Sequence, residues 1–145
     1  MITEAKTKRI LFVCVHNAGR SQMAEAFFNQ IAQGKAKGFS AGTQAADSVN
    51  PVVVEAMREV GIDISHQKPK PLTLEMLEGV DRVITMSCGV EGVCPASFVP
   101  TEDWQLDDPK GKPLEQVRQI RDEVKARVEK LIKELGKNTN STKTK

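Results

Sequence analysis

Residues 9–15 read RILFVCV, one charge followed by six apolar positions without a polar interruption. A run this short, continuous and rich in β-branched and aromatic side chains suits a strand covered on both faces; a strand with one wet face would alternate instead. Cover on both faces requires helices on both sides of a sheet, which confines the chain to a few layered α/β folds. DRVITMS at 81–87 repeats the pattern, and KGFSAG at 37–42 and ASFV at 96–99 give two shorter strand candidates.

Helical stripes separate these runs. Met23, Ala24, Phe27, Phe28, Ile31 and Ala32 share one face at i, i+3, i+4 spacing, and Gly34 marks its end. Asn50 is placed to cap a second helix with Pro51 at its first position; Val53, Ala56, Met57 and Val60 form its inward stripe and Gly61 its stop. After the loop SHQKPKP, Thr73 can cap a short helix over LEMLE. A long last helix carries Leu114, Val117, Ile120, Val124, Val128, Leu131 and Leu135, with Gly136 behind it. Strands alternating with helices predict a three-layer, doubly wound, four-stranded parallel sheet with right-handed crossovers.

A chain of 145 residues suits one domain with a real core. The polar ends divide it into a flexible segment 1–8, a domain 9–135 and a disordered tail 136–145. Lys and Arg total 21 against 19 Asp and Glu, a net charge of +2, and the longest basic stretch is KTKR, so no nucleic-acid partner is expected. The apolar runs are too short for a signal-peptide core or a membrane span, which predicts a cytoplasmic protein with no membrane partner. Cys14, Cys88 and Cys94 are three and cannot all pair; with no C-x2-C spacing and only His16 and His66 beside them, a metal site is not expected.

The stretch CVHNAGRS at 14–21 follows the first strand and leads into the first helix, at the sheet edge where ligands bind in such folds. The backbone N–H groups of a tight loop over Val15, His16, Asn17 and Ala18, with a helix N-terminus behind them, can converge on one tetrahedral anion. Gly19 lets the backbone approach, and the planar fork of Arg20 can hold two anion oxygens. The same field favours the thiolate of Cys14, a nucleophile aimed at the bound anion.

FVCVHNAGRSQMAEAF at 12–27 resembles the C-x5-R-S phosphate-binding loop of the low-molecular-weight protein tyrosine phosphatase family. The likeness continues through SAG, NP, AMREVGIDIS and DDP, and implies a flavodoxin-like fold and a monomer. That family hosts phosphatases and thioredoxin-coupled arsenate reductases. Its phosphatases use an Asp-Pro aspartate as general acid, which matches Asp108-Pro109 with Asp107 beside it. TMSCGVEGVCP at 85–95 resembles the redox segment of the reductases, the chain has no tyrosine, and Lys110 stands where phosphatases usually carry an aromatic wall.

The resemblance therefore implies an arsenate reductase. Cys14 would attack arsenic with Asp108 protonating the leaving oxygen, Cys88 would then attack Cys14, and Cys94 would attack Cys88. Thioredoxin would reduce the resulting 88–94 pair, with glutathione-type thiols as the other reductant and no bound cofactor. The 88–94 segment, with Gly89 and Gly92, would have to move between steps. A phosphatase using Cys14, Arg20 and Asp108 is the alternative, and a silent oxyanion-binding module is a third reading. By position, Asn17 would hold the loop, Ser21 would donate its hydroxyl to the Cys14 sulfur, His16 would be a solvent-facing spacer, and Trp104 a rim or packing residue. Several reductases carry a second loop cysteine where this chain has Gly19. Some bind potassium behind the loop, through a set that would include Asn17, Glu25 and Ser40 here, but Lys68 and Lys70 nearby argue against such a site.

Overall fold

The computed structural model describes residues 7–86 and 101–144, with side chains described for all of these but 101 and 137–144. Four strands, β1 (Lys8–Cys14), β2 (Ala36–Gly42), β3 (Arg82–Thr85) and β4 (Thr101–Asp103), form one sheet in the order β2-β1-β3-β4. Every pairing is parallel, with Cys14 opposite Gly42 and Val13 opposite Thr85. The ASFV strand candidate lies outside the described residues; the fourth described strand follows it directly.

β1 is central, and its side chains divide the core in two. Ile10, Phe12 and Cys14 face a large cluster shared with α1 (Arg20–Ala32), α2 (Pro51–Arg58) and α4 (Leu114–Thr144). Leu11 and Val13 face a smaller cluster with Leu77 of α3 (Leu74–Glu78). All five are at most 2% exposed, as a strand with no wet face must be. Phe12 packs edge-on against Phe28 at 5.6 Å and lies 5.9 Å from Trp104, which is buried and so a packing residue, not a rim. Among the described residues no helix is long and apolar enough to cross a membrane.

The helix signals act as the sequence predicts, with two corrections. The Asn50 carboxamide accepts from Val52 N–H at 2.9 Å and Thr73 Oγ1 from Met76 N–H at 3.2 Å, so both caps form. Val60, however, is 40% exposed: α2 ends at Arg58, and the chain turns away at Gly61 with φ +83°. α4 does not stop at Gly136 but runs on to Thr144, across the segment read as a disordered tail. Gly136 keeps a negative φ, unlike Gly34 and Gly61, and no proline follows to break the hydrogen-bond ladder.

Glu59, at the C-terminal end of α2, clamps that helix to α4. Its carboxylate accepts three bonds from Arg118, at 2.7, 2.9 and 3.2 Å, and one from Arg121 at 3.0 Å. The Arg118 bond first, then Arg121, holds the Glu59 carboxyl below its ordinary value. A depressed carboxyl pKa stabilises the fold above the unfolded-state value, and that contribution is lost as pH falls through the folded-state value. Glu59→Gln is therefore expected to lower the melting temperature at pH 7, and the gap from native should close in melts run progressively below pH 4.5, the ordinary value for this group.

Candidate active site

The loop between β1 and α1 is shaped from outside. The carbonyls of Cys14, Val15, His16 and Ala18 accept from the N–H groups of Thr43, Gln44, Ala46 and Asn50, at 2.7–3.1 Å. In a trans peptide the following N–H points opposite to the carbonyl, so the N–H groups of Val15, His16, Asn17 and Gly19 turn away from the 43–50 segment. At the end of the loop Gly19 gives α1 no side-chain cap, and the first turn carries no acidic residue. The first N–H groups of this thirteen-residue helix are thus left for another acceptor.

Cys14 is 2% exposed, and its sulfur sits among donors. Asn17 N–H reaches it at 3.2 Å, and Ser21 Oγ lies 2.9 Å away. Asn17 takes a left-handed backbone with φ +53°, which asparagine tolerates better than most residues. Its side chain donates to Ser21 Oγ at 2.7 Å and accepts from Lys70 N–H at 2.8 Å. Gln22 Nε2 reaches both Asn17 oxygens at 3.1 Å. Gly42 completes the enclosure, because a Cβ there would stand 2.7 Å from the Val15 carbonyl oxygen and 2.9 Å from Asn17 N.

Arg20 is 5% exposed, and Nη1 donates to the Leu106 carbonyl at 3.1 Å. Its other edge carries no hydrogen bond among the described residues: Nη2 lies 3.8 Å from Asp108 Oδ2, and Nε is buried without a partner. A buried donor left unmade costs about 1–3 kcal/mol, and an oxyanion against the Nε–Nη2 edge would satisfy it. Cys14, Ala18, Gly19, Arg20, Asp108, Pro109 and Lys110 line one cleft of about 560 Å³, closed on its other side by His16 and residues 44–48. Asp108 lines it and Asp107 does not; Asp107 borders a separate groove beside Gln105 and Lys112. Asp108 Oδ1 accepts from Lys110 N–H at 3.0 Å, which leaves Oδ2 toward Arg20. No Phe, Tyr or Trp is among the described lining residues.

The sequence-derived residues fall as follows. Cys14, His16, Ala18, Gly19, Arg20 and Asp108 line the cleft, while Asn17 and Ser21 are buried behind it. Val15 contributes its backbone and packs against the smaller cluster. His16 is half-buried and its Nδ1 lies 3.2 Å from the Gln44 carbonyl, so it is tethered to the cleft wall while keeping a solvent-exposed side. Cys88 and Cys94, with Gly89 and Gly92, lie outside the described residues. The potassium set does not fit a metal ion: Lys70 Nζ stands 3.7 Å from Glu25 Oε1 and 3.5 Å from Ser40 Oγ, and Ser40 donates to Glu25. An ammonium fills the place. Sequence reading missed Gln22 and Gly42; RSQ and SAG hold them, but only the fold brings both against Asn17.

Comparison with known proteins places these features in context. Residues 9–141 match the model of the low molecular weight phosphotyrosine protein phosphatase family. A Synechocystis protein named glutaredoxin arsenate reductase is 42% identical over 89% of this chain and 99% of its own length. Arsenate reductase 1 of Staphylococcus epidermidis is 40% identical over 84% of this chain and 93% of its own. Among solved structures, the thioredoxin-dependent arsenate reductase of Corynebacterium glutamicum superimposes with a TM-score of 0.80 at 36% identity. That match covers 94% of this chain and 65% of the neighbour.

Gly42→Ala tests the enclosure. Its Cβ meets backbone, which cannot rotate away, so we expect a loss of about 1–3 kcal/mol in stability by denaturant titration. Alkylation of Cys14 by iodoacetamide should slow in the same variant, since the loop must shift; an unchanged rate would show that Gly42 does not set the loop.

Proposed function

This chain belongs to the low molecular weight phosphotyrosine protein phosphatase family, and from that premise we propose that it reduces arsenate to arsenite as a cytoplasmic monomer through residues 9–135. The observation that carries the reading is the cleft. It joins a nucleophile, a guanidinium edge with an unsatisfied donor and an acid, and its described lining offers no aromatic wall for a phosphotyrosine ring. A tetrahedral inorganic oxyanion needs no such wall. The relatives named arsenate reductase support the same substrate.

Arsenate would lie against the loop N–H groups and the Nε–Nη2 edge of Arg20, where its charge is met without water having to reorganise. The Cys14 thiolate attacks arsenic, forming an S–As bond while one oxygen departs with a proton from Asp108. Asn17 N–H and the Ser21 hydroxyl at the sulfur serve it both as attacker and as leaving group. Cys88 then attacks the Cys14 sulfur: an S–S bond forms, the S–As bond breaks, and its electron pair stays on arsenic, which leaves as arsenite. Cys94 attacks Cys88, returning Cys14 as thiolate and moving the oxidation to an 88–94 disulfide. An external dithiol protein reduces that disulfide and carries away the oxidation. The Corynebacterium neighbour favours thioredoxin in this role, while the Synechocystis relative makes glutaredoxin the comparison to run. No cofactor is bound in this scheme.

Arsenate-dependent NADPH oxidation, coupled through thioredoxin and its reductase, tests the proposal. Cys14→Ser, Cys88→Ser and Cys94→Ser should each abolish turnover, with arsenate binding retained in the last two. Asp108→Asn should lower kcat by about a hundredfold, the size of a general-acid contribution. Activity with glutaredoxin and glutathione alone would reassign the reductant. Cys14-dependent hydrolysis of an aryl phosphate with no arsenate reduction would make the chain a phosphatase.

A further inference from the structure

We propose that Gln22 is a positioning residue that holds Asn17 in its left-handed conformation and so keeps the Asn17 N–H on the Cys14 sulfur. The proposal rests on reading Cys14 as the nucleophile. Gln22 is fully buried, lines no part of the cleft and touches no reacting atom. Its Nε2 instead meets three oxygens: Asn17 O and Asn17 Oδ1 at 3.1 Å, and Lys68 O at 3.2 Å.

The orientation of that amide follows from its neighbours. Asn17 O and Lys68 O are backbone carbonyls, and Asn17 Oδ1 accepts from Lys70 N–H and must be oxygen. Turning the Gln22 amide over would set its own oxygen against all three, so the nitrogen faces them. Gln22 Oε1 is then buried without a partner among the described residues, a cost that packing alone does not explain.

What is gained lies at Asn17. Lys70 N–H secures the Asn17 side chain only, whereas Gln22 grips side chain and main chain together. With Asn17 Oδ1 committed to these donors, Nδ2 faces Ser21 Oγ. The serine hydroxyl already accepts from Asn17, so its one proton is free for the Cys14 sulfur 2.9 Å away. Gln22 therefore stands at the head of a chain that passes through Asn17 and Ser21 and ends on Cys14, each bond polarising the next.

The test reads Cys14 alone, in a Cys88→Ser, Cys94→Ser background, by iodoacetamide alkylation at pH 7. Gln22→Met, matched in size and lacking the donor, should slow alkylation about tenfold in protein that still melts cooperatively, the size of coupling within one hydrogen-bond network. In an Asn17→Gly background, where the backbone adopts positive φ unaided, Gln22→Met should have no further effect. With all three cysteines present, Gln22→Met should lower kcat for arsenate while KM stays within about twofold, as when the nucleophile and not substrate binding is impaired. Gln22→Glu, which sets a carboxyl oxygen against the same acceptors, provides a second variant and should act in the same direction. A native alkylation rate in Gln22→Met, equal slowing in the Asn17→Gly background, or failure of both variants to fold would overturn the positioning role. Because alkylation needs no arsenate, a protein that follows these expectations yet does not reduce arsenate would sink the proposed reaction and leave this inference standing.

Discussion

The chain leaves β1 at Cys14 and enters α1 at Arg20, and neither end of that span is free to move. β1 is bonded to strands on both sides, and α1 is pinned by Met23, Phe27 and Phe28 in the larger cluster. Five residues must reverse from a buried strand into a helix between these anchors, and a left-handed residue at position 17 is how they do it. With that turn made, the sulfur lies inside the curve of the loop and the loop carbonyls lie outside. Every later feature of the site presupposes it.

Support for the loop comes from some distance. Its outer carbonyls lean on residues 43–50, and that segment ends at Asn50, whose side chain caps α2. α2 is in turn clamped to α4 through Glu59, Arg118 and Arg121. Burial along α4, with Val117, Val124 and Val128 fully enclosed, thus fixes a segment whose end touches the anion cradle. On the opposite wall the Leu106 carbonyl steadies Arg20, and Pro109 sits so near Gly19 that a Cβ there would approach Pro109 Cγ to 2.7 Å.

The sheet was legible because its signal is local: RILFVCV and DRVITMS are apolar throughout, and only a strand with two covered faces reads that way. Asn50 and Thr73 were legible because a cap needs only its own turn. The failures share another cause. Val60 continues the apolar spacing of α2, but the helix had already ended two residues earlier. Gly136 resembles a stop, yet it does not turn left-handed and nothing in its neighbours forces it to, so the helix runs on. In the site, Cys14, Arg20 and Asp108 could be found from motif chemistry, whereas His16, Gln22 and Gly42 could not. His16 and Gly42 depend on approaches 28 and 27 positions away, at Gln44 and Val15, and Gln22 depends on the left-handed turn that brings both Asn17 oxygens back to it; none of these is visible in a sequence.

Lys70 works twice behind the loop: its backbone N–H holds Asn17 Oδ1, and its ammonium stands against the bonded Glu25–Ser40 pair. A charge carried on a side chain has a local concentration set by its tether and not by the surrounding solution. The cation beside the Glu25–Ser40 pair is accordingly part of the chain itself. It cannot be lost by dilution, exchanged for sodium or displaced by a change in the electrolyte outside.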